Sequence, residues 1–304
     1  MRKIWLAVFA IFVLLFLSHY LRENKEALLG ISKMDIRFIV LAAVSQLLYF
    51  LAIVSTWLLV LRSTVTNNVS FWEGLSHVLL VNFGKYIPGK VWGMTARGVR
   101  LRELGIGYDD ILRATYIEQF ILLSTGAWLG LLAAYYSFSQ AIYLLAALGI
   151  SSLILFHNYG IRLVSKVIRT LPKVSGFASL FDAHLRSSKL LQISASYISV
   201  WICLSAAFLF LSQSILTFGF TLANLSIFLL SLTAGYVGGF LAVFAPGGVG
   251  VREGIGATIL SSVFPFEEAL LLMLMFRVWT IVVELLAGSV VITRYYAEKS
   301  TAKR

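Results

Sequence analysis

The sequence predicts an all-α, polytopic integral membrane protein. Three observations carry that prediction: a surplus of apolar residues, apolar runs of bilayer length, and basic residues gathered in the connections between the runs. Of the 304 residues, 59% are hydrophobic and 13% charged, against roughly 45–50% and about 25% in a soluble domain. A water-soluble globule would have to expose that surplus as contiguous apolar patch, which soluble monomers avoid. At about 20 residues per transmembrane helix, the chain supplies six to eight spans in one domain over residues 1–304. A separate catalytic domain is not expected.

Met1-Arg2-Lys3 followed by an apolar run from Ile4 to Leu17 has the charge and length of a signal peptide. Ser18-His19-Tyr20-Leu21 is the wrong chemistry for cleavage, so the run reads as an uncleaved first span. Phe38 to Leu61 is the second, and Ile111 to Tyr136 with Phe138 to His157 should form a tight helical hairpin. The segment 158–189 holds Arg162, Lys166, Arg169, Lys173, Arg186 and Lys189 against a single acid, Asp182. That bias marks a cytoplasmic loop, and Ile161, Leu163, Val164, Val167 and Ile168 suggest an amphipathic helix on the membrane surface. Leu190 to Leu211 and Ala269 to Thr293 complete six full spans.

Two further apolar regions, 71–104 and 224–264, are broken at their centres by Pro88-Gly89 and by Pro246-Gly247-Gly248. Proline removes a backbone donor and glycine admits positive φ, so each helix should stop there. Within hydrocarbon the freed backbone groups need protein or cavity water as partners. A gapless shift of 158 residues carries Pro88 onto Pro246, Gly89 onto Gly247, Val91 onto Val249 and Gly98 onto Gly256. It also carries Tyr108-Asp109-Asp110 onto Phe266-Glu267-Glu268, each just before a long span. This predicts a duplication with halves 71–136 and 224–296. With 158–189 inside, the two broken regions would be re-entrant hairpins opening from opposite sides, making the repeat inverted. Both termini would then lie on the inner side of the cytoplasmic membrane. The poor fit of Arg22, Lys25, Lys33 and Arg37, which would lie outside, keeps open a second arrangement in which the broken regions cross fully, giving eight spans.

Charged side chains at membrane depth cost about 2.5–3.5 kcal/mol each on insertion scales, so they face a polar cavity or one another. Here they are Lys85, Lys90 and Arg97 near the first break, Glu118 on the span that follows, Arg252 and Glu253 near the second break, and Arg277 and Glu284 on the last span. One reading is an amphipathic cavity between the halves, with cations for a phosphate and helix N-termini restarting after Pro88-Gly89 and Pro246-Gly247 aimed into it. The other is that Arg252, Glu253, Arg277 and Glu284 pair to hold the fold, while Lys85 and Lys90 snorkel to the interface. Asp109-Asp110 and Glu267-Glu268 read as helix-start stabilisation rather than acid–base chemistry. The net charge of +11 is spread through loops and points to membrane topology rather than nucleic acid. One cysteine, Cys203, and four scattered histidines give no disulfide, no metal spacing and no implied cofactor.

Gly84-Lys85-Tyr86-Ile87-Pro88-Gly89-Lys90-Val91-Trp92 and Ala245-Pro246-Gly247-Gly248-Val249-Gly250-Val251-Arg252-Glu253 resemble the broken segments of the lysylphosphatidylglycerol synthase transmembrane-region family. That family includes the N-terminal flippase half of bacterial multiple peptide resistance factors and many short stand-alone proteins. The resemblance implies lipid translocation, with Lys85, Pro88, Gly89, Lys90, Pro246, Gly247, Arg252 and Glu253 as the matching positions. In the full-length factors a cytosolic domain makes the lipid; this sequence stops at Arg304, so lysyl transfer is not expected. The expectation is a non-enzymatic transporter of an anionic phospholipid, glycolipid or lipid-linked sugar, with a membrane lipid as its substrate. A membrane-embedded enzyme or accessory subunit acting on a lipid phosphate is the alternative. A scaffold docking a glycosyltransferase or lipid synthase through 158–189 is a third reading, and a homodimer is compatible with all three.

Overall fold

The computed structural model describes residues 34–65, 68–85, 91–170, 185–242 and 245–301. The described residues form helices and no strand. In chain order they are α1 (Ile36–Thr64), α2 (Phe71–Gly84), α3 (Trp92–Glu103), α4 (Tyr108–Phe138), α5 (Ala141–Leu155), α6 (His157–Arg169), α7 (Ser187–Ile215), α8 (Leu222–Leu241), α9 (Val251–Leu260) and α10 (Phe266–Thr301). The expected first span, Pro88, Gly89, Lys90 and residues 171–184 of the basic segment lie outside the described residues.

Five helices, α1, α4, α7, α8 and the part of α10 up to Val291, are long and apolar enough to cross a membrane. The apolar run 138–157 departs from expectation. Ser139 at φ 52° ends α4, and α5 holds only 15 residues, about 22 Å of helix against a hydrocarbon core of about 30 Å. At Phe156 the chain bends 65° into α6, whose exposed faces carry Arg162, Lys166 and Arg169 beside Leu163 and Val167. The bend falls where the apolar run gives way to His157-Asn158, next to the expected start of the surface segment. The second broken region also differs from a short re-entrant loop, since α8 alone, at 20 residues, has spanning length.

Acidic residues open the long helices as expected: Asp109 and Asp110 lie in the first turn of α4, Glu267 and Glu268 in the first turn of α10. Ser70 and Glu73 form a reciprocal capping box on α2. Asp35 caps α1, and the Arg37 guanidinium bound to its carboxyl holds that group below the usual carboxylate range.

The 158-residue shift places α3 at 250–261 and the start of α4 at 266, each boundary within one residue of α9 and α10. The packing follows the same correspondence. α3 doubles back on α2 and α9 on α8, while α4 packs on α8 and α10 packs on α2. Gly130 of α4 and Gly288 of α10, themselves 158 apart, sit at these crossings against Thr233 and Phe83. α1 and α7 form the most extensive helix pair. One apolar core gathers around Trp57, Leu61, Leu101, Ile121 and Tyr197. The other gathers around Phe208, Phe228 and Phe276, with Phe208 ring centroids 5.2 Å from Phe228 and 4.9 Å from Phe276. α7 contributes to both.

Each hairpin closes on glycine. A Cβ on Gly84 would lie 2.1 Å from the Gly93 Cα, and one on Gly248 would lie 2.9 Å from the Gly239 Cα. Gly84→Ala is therefore expected to lower stability by roughly 1–3 kcal/mol, read as an earlier melting transition in neutral detergent. Gly254→Ala, where the added carbon meets nothing within 4 Å, should be neutral or stabilising.

Candidate functional site

A cavity of about 200 Å³ lies where the two broken segments approach each other. Val81, Asn82 and Lys85 from the end of α2 and Met94 of α3 form one wall, and Gly239, Phe240, Gly247, Gly248 and Arg252 form the other. α4 contributes Glu118, Gln119, Leu122 and Leu123, with Tyr49 of α1, Trp201 of α7 and Tyr236 of α8 completing it. Gly247 and Gly248 line it because the chain turns there at φ 58° and 69°, a left-handed backbone that favours glycine. The lining is largely apolar with a few convergent polar groups, the usual character of a ligand site.

Of the charged positions expected from sequence, Lys85, Glu118 and Arg252 reach the cavity. Arg97, Glu253, Arg277 and Glu284 do not line it and serve as ion-pair partners, and Lys90 lies outside the described residues. Arg97, only 1% exposed, donates to both carboxylate oxygens of Glu118 at 2.8 and 2.5 Å. Its guanidinium lies 3.8 Å from the Trp57 ring, and Trp57 Nε1 donates to His77 Nδ1 at 3.3 Å. Lys85 Nζ donates to Glu284 Oε1 at 2.7 Å, joining the first hairpin to the last helix. Arg277 pairs with Glu253 and donates to the Gly247 carbonyl at 3.3 Å.

This geometry gives the charges of α10 separate partners and closes one helix end. Arg277 and Glu284, seven residues apart on α10, do not act together on the cavity; one ties α10 to α9 and the other ties it to α2. Nor does the N-terminus of α9 present its backbone donors to a ligand unopposed, because the Gly250 N–H donates to Glu253 Oε2 at 2.8 Å. The protein supplies its own anion to that helix end, and Arg277 neutralises it. Glu253, Arg277 and Glu284 each stand in an ion pair.

Arg252 is different. It is 6% exposed, its guanidinium carbon lies 3.5 Å from the Tyr236 ring centroid, and its Nε and Nη2 are buried without a hydrogen-bond partner. Gly235 and Gly239 make room for it: a Cβ on Gly239 would stand 3.0 Å from the Arg252 Cβ, and one on Gly235 2.8 Å from its carbonyl oxygen. Sequence reasoning missed Tyr49, Asn82, Gln119, Trp201 and Tyr236. Gln119 and Asn82 left a signal, as uncharged polar residues inside apolar helices beside charged positions already singled out; the aromatic residues left none. Among the described residues no cluster of three or more His, Cys, Asp or Glu could hold a metal ion.

The family model for the lysylphosphatidylglycerol synthase TM region matches residues 4–288. The chain belongs to that family. Membership and the five long apolar helices together make it a multi-pass membrane protein with a lipid-related role. No curated protein and no solved structure matches the chain.

Removing one side of the buried Arg97–Glu118 pair leaves the other charge stranded, which costs about 3–5 kcal/mol. Arg97→Met should therefore be strongly destabilised, and Arg97→Met with Glu118→Met should recover most of the loss, in a double-mutant cycle read by thermal unfolding in detergent.

Proposed function

We propose that this protein translocates an anionic or glycosylated lipid between leaflets of the cytoplasmic membrane. The head group crosses through the cavity between the two broken segments while the chains stay in lipid. The observation that carries this reading is Arg252, a buried cation without a hydrogen-bond partner for Nε or Nη2, lining a cavity bounded by interrupted helices from both halves. A volume of about 200 Å³ is below the roughly 300–1,000 Å³ of pockets that enclose a whole ligand, and suits a head group alone. Interrupted segments at corresponding places in two halves are the pattern of alternating-access transporters. The matched boundaries of α3 and α9, and the reciprocal crossings of α4 on α8 and α10 on α2, support an inverted repeat that rocks about this cavity. Family membership supports a lipid as the substrate. An enzymatic role on a lipid phosphate has less support, because Glu118, which lines the cavity, and Glu284, which holds the lining Lys85, are both bound to cations.

Purified protein in liposomes carrying a fluorophore-labelled lipid should move label between leaflets, read as the fraction quenched by an impermeant reductant. Arg252→Gln should slow that exchange at least about 30-fold, the loss of one buried charge contact of about 2 kcal/mol, while eluting as a monodisperse folded species. Chemical conversion of the lipid without leaflet exchange would overturn the reading in favour of an enzyme.

A further inference from the structure

The charges at the cavity can be balanced one against another. Three carboxylates lie at or just behind its wall, Glu118, Glu253 and Glu284, and each holds a cation: Arg97, Arg277 and Lys85 respectively. Among the described residues at the cavity, Arg252 is the cation left over. An arginine cannot shed its proton to escape burial, and the Tyr236 face against it attracts the cation without accepting a hydrogen bond from the guanidinium edge. Buried donors on a charged group without partners are costly. An occupant that brings one negative charge and oxygen acceptors relieves that cost.

A second negative charge meets a different situation. To neutralise it the cavity would have to draw Lys85 from Glu284, or Arg97 from Glu118, leaving a carboxylate that is 5% or 6% exposed without its counter-charge. The same ion pairs that stabilise the helices therefore limit the charge the cavity accepts.

We propose that Arg252 sets a charge-number selectivity: the cavity accepts head groups carrying one negative charge, such as a phosphodiester, and discriminates against those carrying two, such as a phosphomonoester or a pyrophosphate. The two non-bridging oxygens of a phosphodiester suit a guanidinium fork once the side chain turns toward the ligand. The proposal deepens the translocation reading and names the substrate class of that site.

The test compares two lipids with identical chains, phosphatidylglycerol and phosphatidate, on the full chain. Binding is measured as thermal stabilisation in neutral detergent, and transport as leaflet exchange in phosphatidylcholine vesicles. At pH 8, where a phosphomonoester is mostly dianionic because its second pKa is about 6, phosphatidylglycerol should bind and exchange at least about tenfold better. At pH 5.5 phosphatidate, now mostly monoanionic, should close that gap while phosphatidylglycerol stays level. In Arg252→Gln both lipids should fall to the level of an uncharged glycosyl diacylglycerol, and Arg252→Lys should keep part of the preference. Glycerophosphoglycerol and inorganic phosphate, added as soluble competitors, separate a lipid head group from a free anion: competition only at millimolar concentration supports the lipid, and competition at micromolar concentration overturns it. Stabilisation that follows the charge rule without leaflet exchange removes the transport reading and leaves the selectivity standing. Exchange with no preference between the lipids at pH 8 does the reverse. A dianion preference that vanishes in Lys90→Gln would put a second cation in the cavity and overturn the count of one.

Discussion

A charge held inside a bilayer-spanning protein needs a counter-charge, because the low dielectric that makes an ion costly to bury also makes its pairing strong. That constraint arranges this molecule. Arg97–Glu118 fixes α3 to α4, Arg277–Glu253 fixes α9 to α10, and Lys85–Glu284 ties α2 to α10. Each pair sits beside a point where the helical backbone is broken or doubled back, so the ion pairs hold in place the segments that have the fewest regular hydrogen bonds. Arg252 departs from the rule, and the cavity lies beside it.

The second constraint is steric. Two helices can double back within a few residues only if their backbones nearly touch, and the glycines at Gly84, Gly93, Gly239 and Gly248 allow that approach. Side chains then serve the outer faces: α1 and α10 turn residues such as Val44, Leu48, Val282 and Leu286 outward, where a soluble protein would not leave them. The apolar surplus that defined the composition is thus divided between two aromatic-rich cores and a lipid-facing exterior.

Much of the architecture was legible from the chain alone. Pro246-Gly247 and the acidic pairs at Asp109 and Glu267 act locally, through φ restriction and helix-end charge, so their positions in sequence are their positions in structure. What could not be read was which charge meets which. Arg277 and Glu284 share a helical face by spacing, yet their partners come from α9 and α2, a matter of tertiary packing that no local pattern encodes. The place of the 65° elbow at Phe156 was marked by the change from apolar run to His157-Asn158, whereas its angle is not encoded in hydropathy. Tyr236 and Trp201 were missed because an aromatic ring in an apolar helix looks the same whether it meets lipid, a neighbouring helix or a guanidinium.

The ion pair between Lys85 and Glu284 joins residues 199 positions apart. At the roughly 5–20 residues per second of chain synthesis, the lysine emerges about 10–40 s before its carboxylate exists. Throughout that interval α2 lacks this one tie to α10, and the flexible four-carbon stem of the lysine lets its ammonium reach toward the interface. The contact that joins the first hairpin to the last helix is therefore among the last the nascent chain can make.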